Sequence, residues 1–318
     1  MDNRVEMLKK SKQVLKEVKK SVRGKDDAIC KVFMAVLARG HVLLDDIPGV
    51  GKTTMALSFS KALGLKCNRV QFTPDIMPSD LTGFNMYNRA TNKFEYKEGA
   101  AMCNILLADE INRTSPKTQS ALLQVMEENS VSIDGKTYEL PQPFVVIATQ
   151  NPYGSVGTQK LPESQLDRFM VCLSMGYPTL EDEVNIMKSK QGNNQNRVNS
   201  EKVLEDGELE QIRKYVDNIH VDDSIYRYVA KIAKATREDD AIKQGVSPRG
   251  SIAVIGMAKA EAFLRGNEYV LPSDIQNVIY DTVAHRILLN TDISRGNVTA
   301  TGVLENIMKN VSMPELNI

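Results

Sequence analysis

The nine residues Asp46-Ile-Pro-Gly-Val-Gly-Lys-Thr-Thr54 carry the strongest chemical signal in the chain. They follow a short apolar run and open a helical one. Gly49 and Gly51 let backbone N–H groups turn inward toward phosphate oxygens. A helix starting at Lys52 adds the partial positive charge of its N-terminus. Lys52 is then placed to reach β- and γ-phosphates, and the Thr53 hydroxyl to bind Mg²⁺. Asp46, Pro48, Gly49, Val50, Gly51, Lys52, Thr53 and Thr54 are the expected ATP-binding loop. It departs from GxxxxGK[ST] at one place, where Asp46 stands for the first glycine. A glycine turn joining strand to helix, without any ligand, would read the same way locally.

The second signal is Asn104-Ile-Leu-Leu-Ala-Asp-Glu110, an apolar run ending in two carboxylates. Beside a phosphate loop, Asp109 would hold Mg²⁺, often through water. Glu110 would orient and polarise the attacking water. A charged strand end meeting solvent is common by itself. Its pairing with Lys52 in this order points to Mg²⁺-dependent hydrolysis of ATP.

These residues need a scaffold. A length of 318 residues suits one large or two medium domains. With 42% apolar and 25% charged residues, disorder over the whole chain is excluded. Lys+Arg and Asp+Glu are both 40, so no general polyanion partner is indicated. Cys30, Cys67, Cys103 and Cys172 form no CxxC pair and read as small core residues. His41, His220 and His285 are isolated, so a disulfide framework or a zinc site is not expected. No apolar run reaches membrane-span length, and a reducing cytoplasm is the default location. Residues 1–25 hold nine Lys/Arg against three Asp/Glu. Leu8, Leu15, Val18 and Val22 share a helical face there, which reads as an amphipathic helix with a solvated basic side.

Strand-like runs at 41–45, 69–72, 104–108, 144–149 and 170–174 alternate with helical patterns at 52–63, 116–128 and 162–167. That alternation predicts a parallel sheet covered on both faces. Two hairpins interrupt it. Phe84–Tyr96 turns at Ala90–Lys93, and Ser130–Leu140 turns at Asp134-Gly135. After Pro178 the pattern becomes helical, over 181–190, 208–219, 222–237, 249–265 and 273–289, with a loop at Gln191–Asn199. The expected division is an α/β core at 1–177, including the basic N-terminal helix, and a helical lid at 178–318.

Longer blocks extend the two signals. They are Arg69-Val-Gln-Phe-Thr-Pro-Asp-Ile-Met-Pro-Ser-Asp-Leu-Thr-Gly83, Leu107-Ala-Asp-Glu-Ile-Asn-Arg113 and Ser115-Pro-Lys-Thr-Gln-Ser-Ala-Leu-Leu123. Ile147-Ala-Thr-Gln-Asn-Pro152, Leu161-Pro-Glu-Ser-Gln-Leu-Asp-Arg-Phe169, Gly245-Val-Ser-Pro-Arg249 and His285-Arg-Ile287 follow. In this order the chain resembles the MoxR family of AAA+ P-loop ATPases over roughly residues 20–290. The resemblance implies a P-loop AAA+ core with hairpin inserts and a helical lid, and related members tolerate an acidic residue at Asp46. It implies sensor 1 at Asn151, which would contact the γ-phosphate or the attacking water. An Asn-Pro turn is the plain alternative. It implies an arginine finger at Arg168, against a surface salt bridge with Asp167 or Glu163. It implies sensor 2 at Arg249. There Ser247 and Pro248 suit a helix start, and a cation in the first turn calls for an anionic neighbour, phosphate or carboxylate. Val22-Arg-Gly24 resembles a segment bordering adenine, or simply ends a helix. Tyr87, Phe94 and Tyr96 are candidate grips on a client, or pack locally.

The function so implied is a cytoplasmic ATPase ring, a hexamer, that remodels or activates a client protein. Such clients often carry a von Willebrand factor A domain or a metal centre. A metal-chelatase-like ATPase subunit and a nucleic-acid motor of the same clade are the alternatives. The motor is disfavoured by neutral charge and the lack of a recognisable DNA-binding module. A nucleotide-gated scaffold is disfavoured by the complete set Lys52, Thr53, Asp109 and Glu110.

Overall fold

The computed structural model describes residues 3–47, 49–151, 161–190, 199–290 and 298–315. In chain order, α1 (Asn3–Ser21) and α2 (Asp26–Leu37) precede β1 (Val42–Asp45), α3 (Lys52–Leu63) and β2 (Cys67–Gln71). A short α4 (Pro78–Thr82) leads into β3 (Gly83–Asn88) and β4 (Lys93–Glu98). Then come β5 (Ile105–Asp109), α5 (Pro116–Glu128), β6 (Ser130–Ile133), β7 (Lys136–Glu139) and β8 (Val145–Gln150). The α/β part closes with α6 (Glu163–Leu166) and β9 (Val171–Leu173). The second half holds α7 (Leu180–Lys190), α8 (Glu208–Asp217), α9 (Asp223–Glu238), β10 (Ile242–Gln244) and α10 (Pro248–Arg265). It ends with α11 (Pro272–Val283), β11 (Leu288–Leu289) and α12 (Ala300–Asn310).

Five strands form one sheet in the order β2-β5-β8-β1-β9, every neighbour pair parallel. Apart from the polar edge strand β2, the strands are apolar on both faces, and their side chains alternate between two buried layers. Val42, Leu44, Ile105, Leu107, Val145 and Ile147 join one apolar cluster. Leu43, Leu106, Ala108, Val146 and Ala148 join the other. The first layer is continued by Phe33 and Phe59 of α2 and α3, and then by Ile212, Met257 and Ile279 of the second half. The second is closed by α5 through Leu122 and Met126.

The N-terminal helix is amphipathic as expected. Val14, Val18 and Val22 are buried. It packs on α3 and also reaches α10. Arg4 pairs with Glu268, and Lys10 with Glu208, so two of its basic residues tie it to the second half. Both hairpins form. Asp134 and Gly135 have φ of 49° and 78°, the paired positive values of the tightest hairpin turn. Tyr96 stacks on Tyr138 of the other hairpin at 4.1 Å and donates to the Thr82 carbonyl at 2.6 Å, so it packs locally. Tyr87 and Phe94 meet edge-on at 5.3 Å and are exposed.

Two expectations differ from the structure. The helix expected over 273–289 ends at Val283, followed by a 3-10 turn at Ala284–Arg286. Leu288 and Leu289 then pair antiparallel with β10, and the Arg286 side chain turns inward. Pro162 caps the short α6 instead of occupying its first position. The expected Gln/Asn-rich loop lies, at 191–198, outside the described residues.

His41 lies between two elements of the core. Its Nδ1 accepts from the Val146 N–H at 3.0 Å, which leaves Nε2–H to donate to the Met126 carbonyl at 3.0 Å. Burial pushes His41 down to about 4 and His285 down to about 3. Both imidazoles stay neutral in the folded chain while the unfolded chain protonates them near pH 6.5. Stability is therefore expected to fall as pH drops below 6.5. Between pH 7 and 5.5 the loss should be about 2 kcal/mol for the pair. Equal denaturation midpoints at the two pH values would contradict this.

Candidate ATP site

The site is built at the C-terminal edge of the parallel sheet, where open α/β folds place ligands. β1 delivers the loop that begins at Asp46. Gly49 and Gly51 adopt φ of +88° and +100°, values that L side chains rarely take. Space beside Gly49 is open. Gly51 caps α3 with no side chain over its first amides, so those donors and the helix dipole serve the cleft. Lys52 opens the helix. Its Nζ donates to the Asp46 carbonyl at 2.6 Å and the Gln150 carbonyl at 3.4 Å. Burial holds its ammonium below the usual lysine range, opposed by the Asp46 and Asp109 carboxylates.

β5 brings the two acids, and register decides what they touch. Ala108 lies beside Ala148, so Asp109 comes level with Thr149 on β8. The Thr149 hydroxyl donates to Asp109 Oδ1 at 2.6 Å and accepts from the Glu110 N–H at 2.9 Å. On the other side Gln71 of β2 pairs with Asp109, and Arg69 donates to Asp109 Oδ2 at 2.8 Å. Glu110 sits in the left-handed region at φ 58°, a conformation that costs about 1–3 kcal/mol for such a residue. The turn directs its carboxylate to Arg113 at 2.5 Å. Thr149 and Arg69 both lie inside motifs read from the sequence, but nothing local to either marks it as a partner of Asp109.

Gly49, Gly51, Lys52, Thr53, Thr54, Asp109, Glu110 and Asn151 together line one cleft of about 300 Å³, joined by Arg69 and Gln71. The Asn151 carbonyl accepts from Asn112 at 3.2 Å. Val50 is half-buried against the apolar layer and does not line the cleft. Pro48 lies outside the described residues. The hard oxygen donors Thr53 and Asp109 share the cleft, and this donor set fits Mg²⁺ completed by phosphate and water oxygens.

Asp46 needs a correction. Its side chain turns away from the cleft. Oδ2 accepts from the Met175 and Gly176 amides, the latter at 2.8 Å, and Oδ1 from the Ile47 amide at 2.9 Å. The segment it grips joins β9 to α7. From the other side Lys25 Nζ donates to the carbonyls of Met175, Gly176 and Tyr177 at 2.6, 3.0 and 2.7 Å. Lys25 and Asp46 are both buried. A glycine at position 46 would leave those amides unpaired, which explains the departure from the usual loop.

Arg168 and Arg249 form a separate group. Both bond to the Glu127 carboxylate at the end of α5, Arg168 at 3.2 Å. Neither the Asp167 nor the Glu163 partner expected for Arg168 is its recorded ion pair. Asp167 accepts instead from Arg286 at 2.8 Å. Gly24 lies in the turn between α1 and α2 at φ +67°, where an added Cβ would run into the Asp182 carboxylate.

A five-stranded 2-5-8-1-9 order around a phosphate loop, followed by a helical second half, defines an AAA+ ATPase. Residues 41–171 match the ATPase family associated with various cellular activities (AAA), and residues 234–307 match the AAA lid domain. The chain is 44% identical to YeaC of Bacillus subtilis, covering 95% of this chain and 94% of that protein. It is 36% identical to Chaperone MoxR1 of Mycobacterium tuberculosis, covering 95% and 81%. A crystal structure of a Cytophaga hutchinsonii protein provisionally assigned as an ATPase superposes with a TM-score of 0.92 at 36% identity, covering 98% of this chain and 97% of that one. The chain belongs to the MoxR family of AAA+ ATPases.

Two substitutions test the geometry. Asp46→Gly should lower unfolding stability by about 2 kcal/mol through the unpaired amides while changing ATP affinity less than about tenfold. A large affinity loss at unchanged stability would return Asp46 to the phosphate. Thr149→Val should lower kcat by about tenfold or more with ATP affinity nearly unchanged, because it releases the acids and leaves the phosphate loop intact. Wild-type turnover in that variant would contradict the relay.

Proposed function

We propose that the chain is a Mg²⁺-dependent ATPase that works as a ring, a hexamer, and uses hydrolysis to remodel or activate a client protein. The observation that carries the ring is the position of the arginines. Val171 at the start of β9 pairs in parallel with Val42 at the start of β1, and the Met170 amide bonds to the His41 carbonyl. Arg168 therefore lies at the N-terminal edge of the sheet, while the phosphate loop leaves the C-terminal edge. Four residues of strand separate the edges, about 13 Å. Arg249 shares Glu127 with Arg168 and so stands at the same edge. Neither is suited to its own chain's nucleotide. Both suit the nucleotide of a neighbouring copy, whose phosphate would replace Glu127 as their anion.

Within one cleft, Lys52 and the loop amides would hold the β- and γ-phosphates, and Thr53 and Asp109 would hold the metal. Bound there, Mg²⁺ would neutralise developing charge on the phosphate oxygens. Glu110 releases Arg113 and takes the proton of the attacking water. Asn151 orients that water or the γ-phosphate. The core at 1–177 and the lid at 178–318 move against each other as the cycle turns.

A client protein is supported by the relative named Chaperone MoxR1. A von Willebrand factor A domain is the client type that the family resemblance suggests. The exposed Phe84, Tyr87 and Phe94 on the first hairpin offer it an apolar grip. The work is assigned to the cytoplasm. No described helix is long and apolar enough to cross a membrane.

Arg168→Ala should keep ATP affinity within about threefold and lose about 10³ in kcat. Undiminished turnover would contradict the finger. Glu110→Gln protein held in ATP and Mg²⁺ should retain a discrete protein from cell extract that Lys52→Ala protein does not. Nucleic acid in its place, or nothing, would contradict client remodelling.

A further inference from the structure

His285-Arg286-Ile287 stands out in the sequence, yet none of its residues lines the ATP cleft. Arg286 is nevertheless among the most heavily engaged side chains of the molecule. It follows α11 in the second half, and its side chain is only 2% exposed. Its Nε donates to Asp167 Oδ1 at 2.8 Å. Nη2 donates to the Asp167 carbonyl at 3.2 Å and the Phe169 carbonyl at 2.7 Å. Nη1 donates to the Met170 carbonyl at 3.1 Å and, back on α11, to the Thr282 carbonyl. His285 adds a contact to the Phe169 carbonyl at 3.1 Å. The backbone on both sides of Arg168 is thus held by one guanidinium.

The same carboxylate also holds the start of the helix that carries the other arginine. The Ser247 hydroxyl donates to Asp167 Oδ1 and Oδ2 at 3.0 and 2.9 Å and accepts from the Gly250 N–H at 3.1 Å. Ser247 caps α10, and Arg249 lies in its first turn. Position 250 must stay small here. A Cβ on Gly250 would stand 2.9 Å from Arg286 Cδ and 2.7 Å from Val246 Cγ1. Asp167 therefore joins three elements: the loop carrying Arg168, the helix start carrying Arg249, and the end of α11. Five directed N–H groups in a rigid fork are what that junction uses, and a lysine offers three donors from one point.

We infer that Arg286 is a positioning residue for hydrolysis in the neighbouring subunit: it welds Arg168 and Arg249 into one two-arginine unit fixed to the lid. A lid movement then carries both arginines together against the neighbour's nucleotide. This rests on the trans placement proposed above.

Mixed assemblies test it. Arg168→Ala chains have an intact cleft and no finger. Lys52→Ala chains have a finger and no working cleft. Mixing the two should restore hydrolysis. Lys52→Ala/Arg286→Lys chains, mixed in the same way, should restore at least about tenfold less kcat with KM within about twofold, since the working cleft is untouched. The size of the mixed assembly and the melting temperature of the double variant are measured alongside. If Arg286→Lys prevents folding or assembly, Asp167→Asn takes its place, with the same split expected. Full restoration by the Arg286 or Asp167 variant, or a loss confined to KM, would overturn the inference while leaving the trans reading intact. No restoration by Lys52→Ala alone would overturn the trans reading and the inference with it.

Discussion

β1 pairs with β8 on one side and β9 on the other, and all three run the same way. This pairing, with β5 parallel beside β8, sets which edge of the sheet each strand-borne group occupies. Strand ends that point one way carry Asp46, Asp109, Glu110 and Asn151 to one edge. The segment entering β9 carries Arg168 to the other. A chain built this way brings the phosphate loop, Asp109 and Glu110 together at one edge and leaves Arg168 at the other. In the proposed ring, a division of the site between copies would follow from this parallel topology.

Two ionic junctions brace the sheet, one within the core and one between the core and the second half. Asp46 and Lys25 grip opposite sides of the backbone at 175–177. Arg286 and Asp167 grip the backbone at 167–170. Buried charge is costly unless every donor and acceptor is met, and here backbone groups meet most of them. Both junctions flank β9. One connects it to the phosphate loop, the other to the arginines. In the proposed ring, movement of the lid would be tied to nucleotide on one side and to the neighbouring copy on the other.

Much of this was legible in the sequence because its cause is local. The strand–turn–helix around Lys52 and the acid pair ending β5 depend on residues a few positions apart. Helices 52–63 and 116–128 appear with the same bounds in the structure. The family blocks supplied Asn151, Arg168 and Arg249. What escaped depends on distant partners. Asp46 reads as part of a phosphate loop because its amide partners lie 129 and 130 residues away. Thr149 and Arg69 meet Asp109 only through inter-strand register. Glu127 looks like any exposed helical acid until two arginines arrive from different elements. The helix over 273–289 reads too long because its periodicity continues past Val283, whereas Arg286 is drawn into the core edge and breaks it.

The central claim is that one chain cannot complete its own hydrolytic site. The most direct measurement is ATP turnover per chain across a wide range of protein concentration, with assembly followed by sedimentation in the same samples. Turnover should rise with the assembled fraction and fall to background in dilute monomer, while monomer still binds ATP. Turnover per chain that stays constant down to fully dissociated monomer would contradict it.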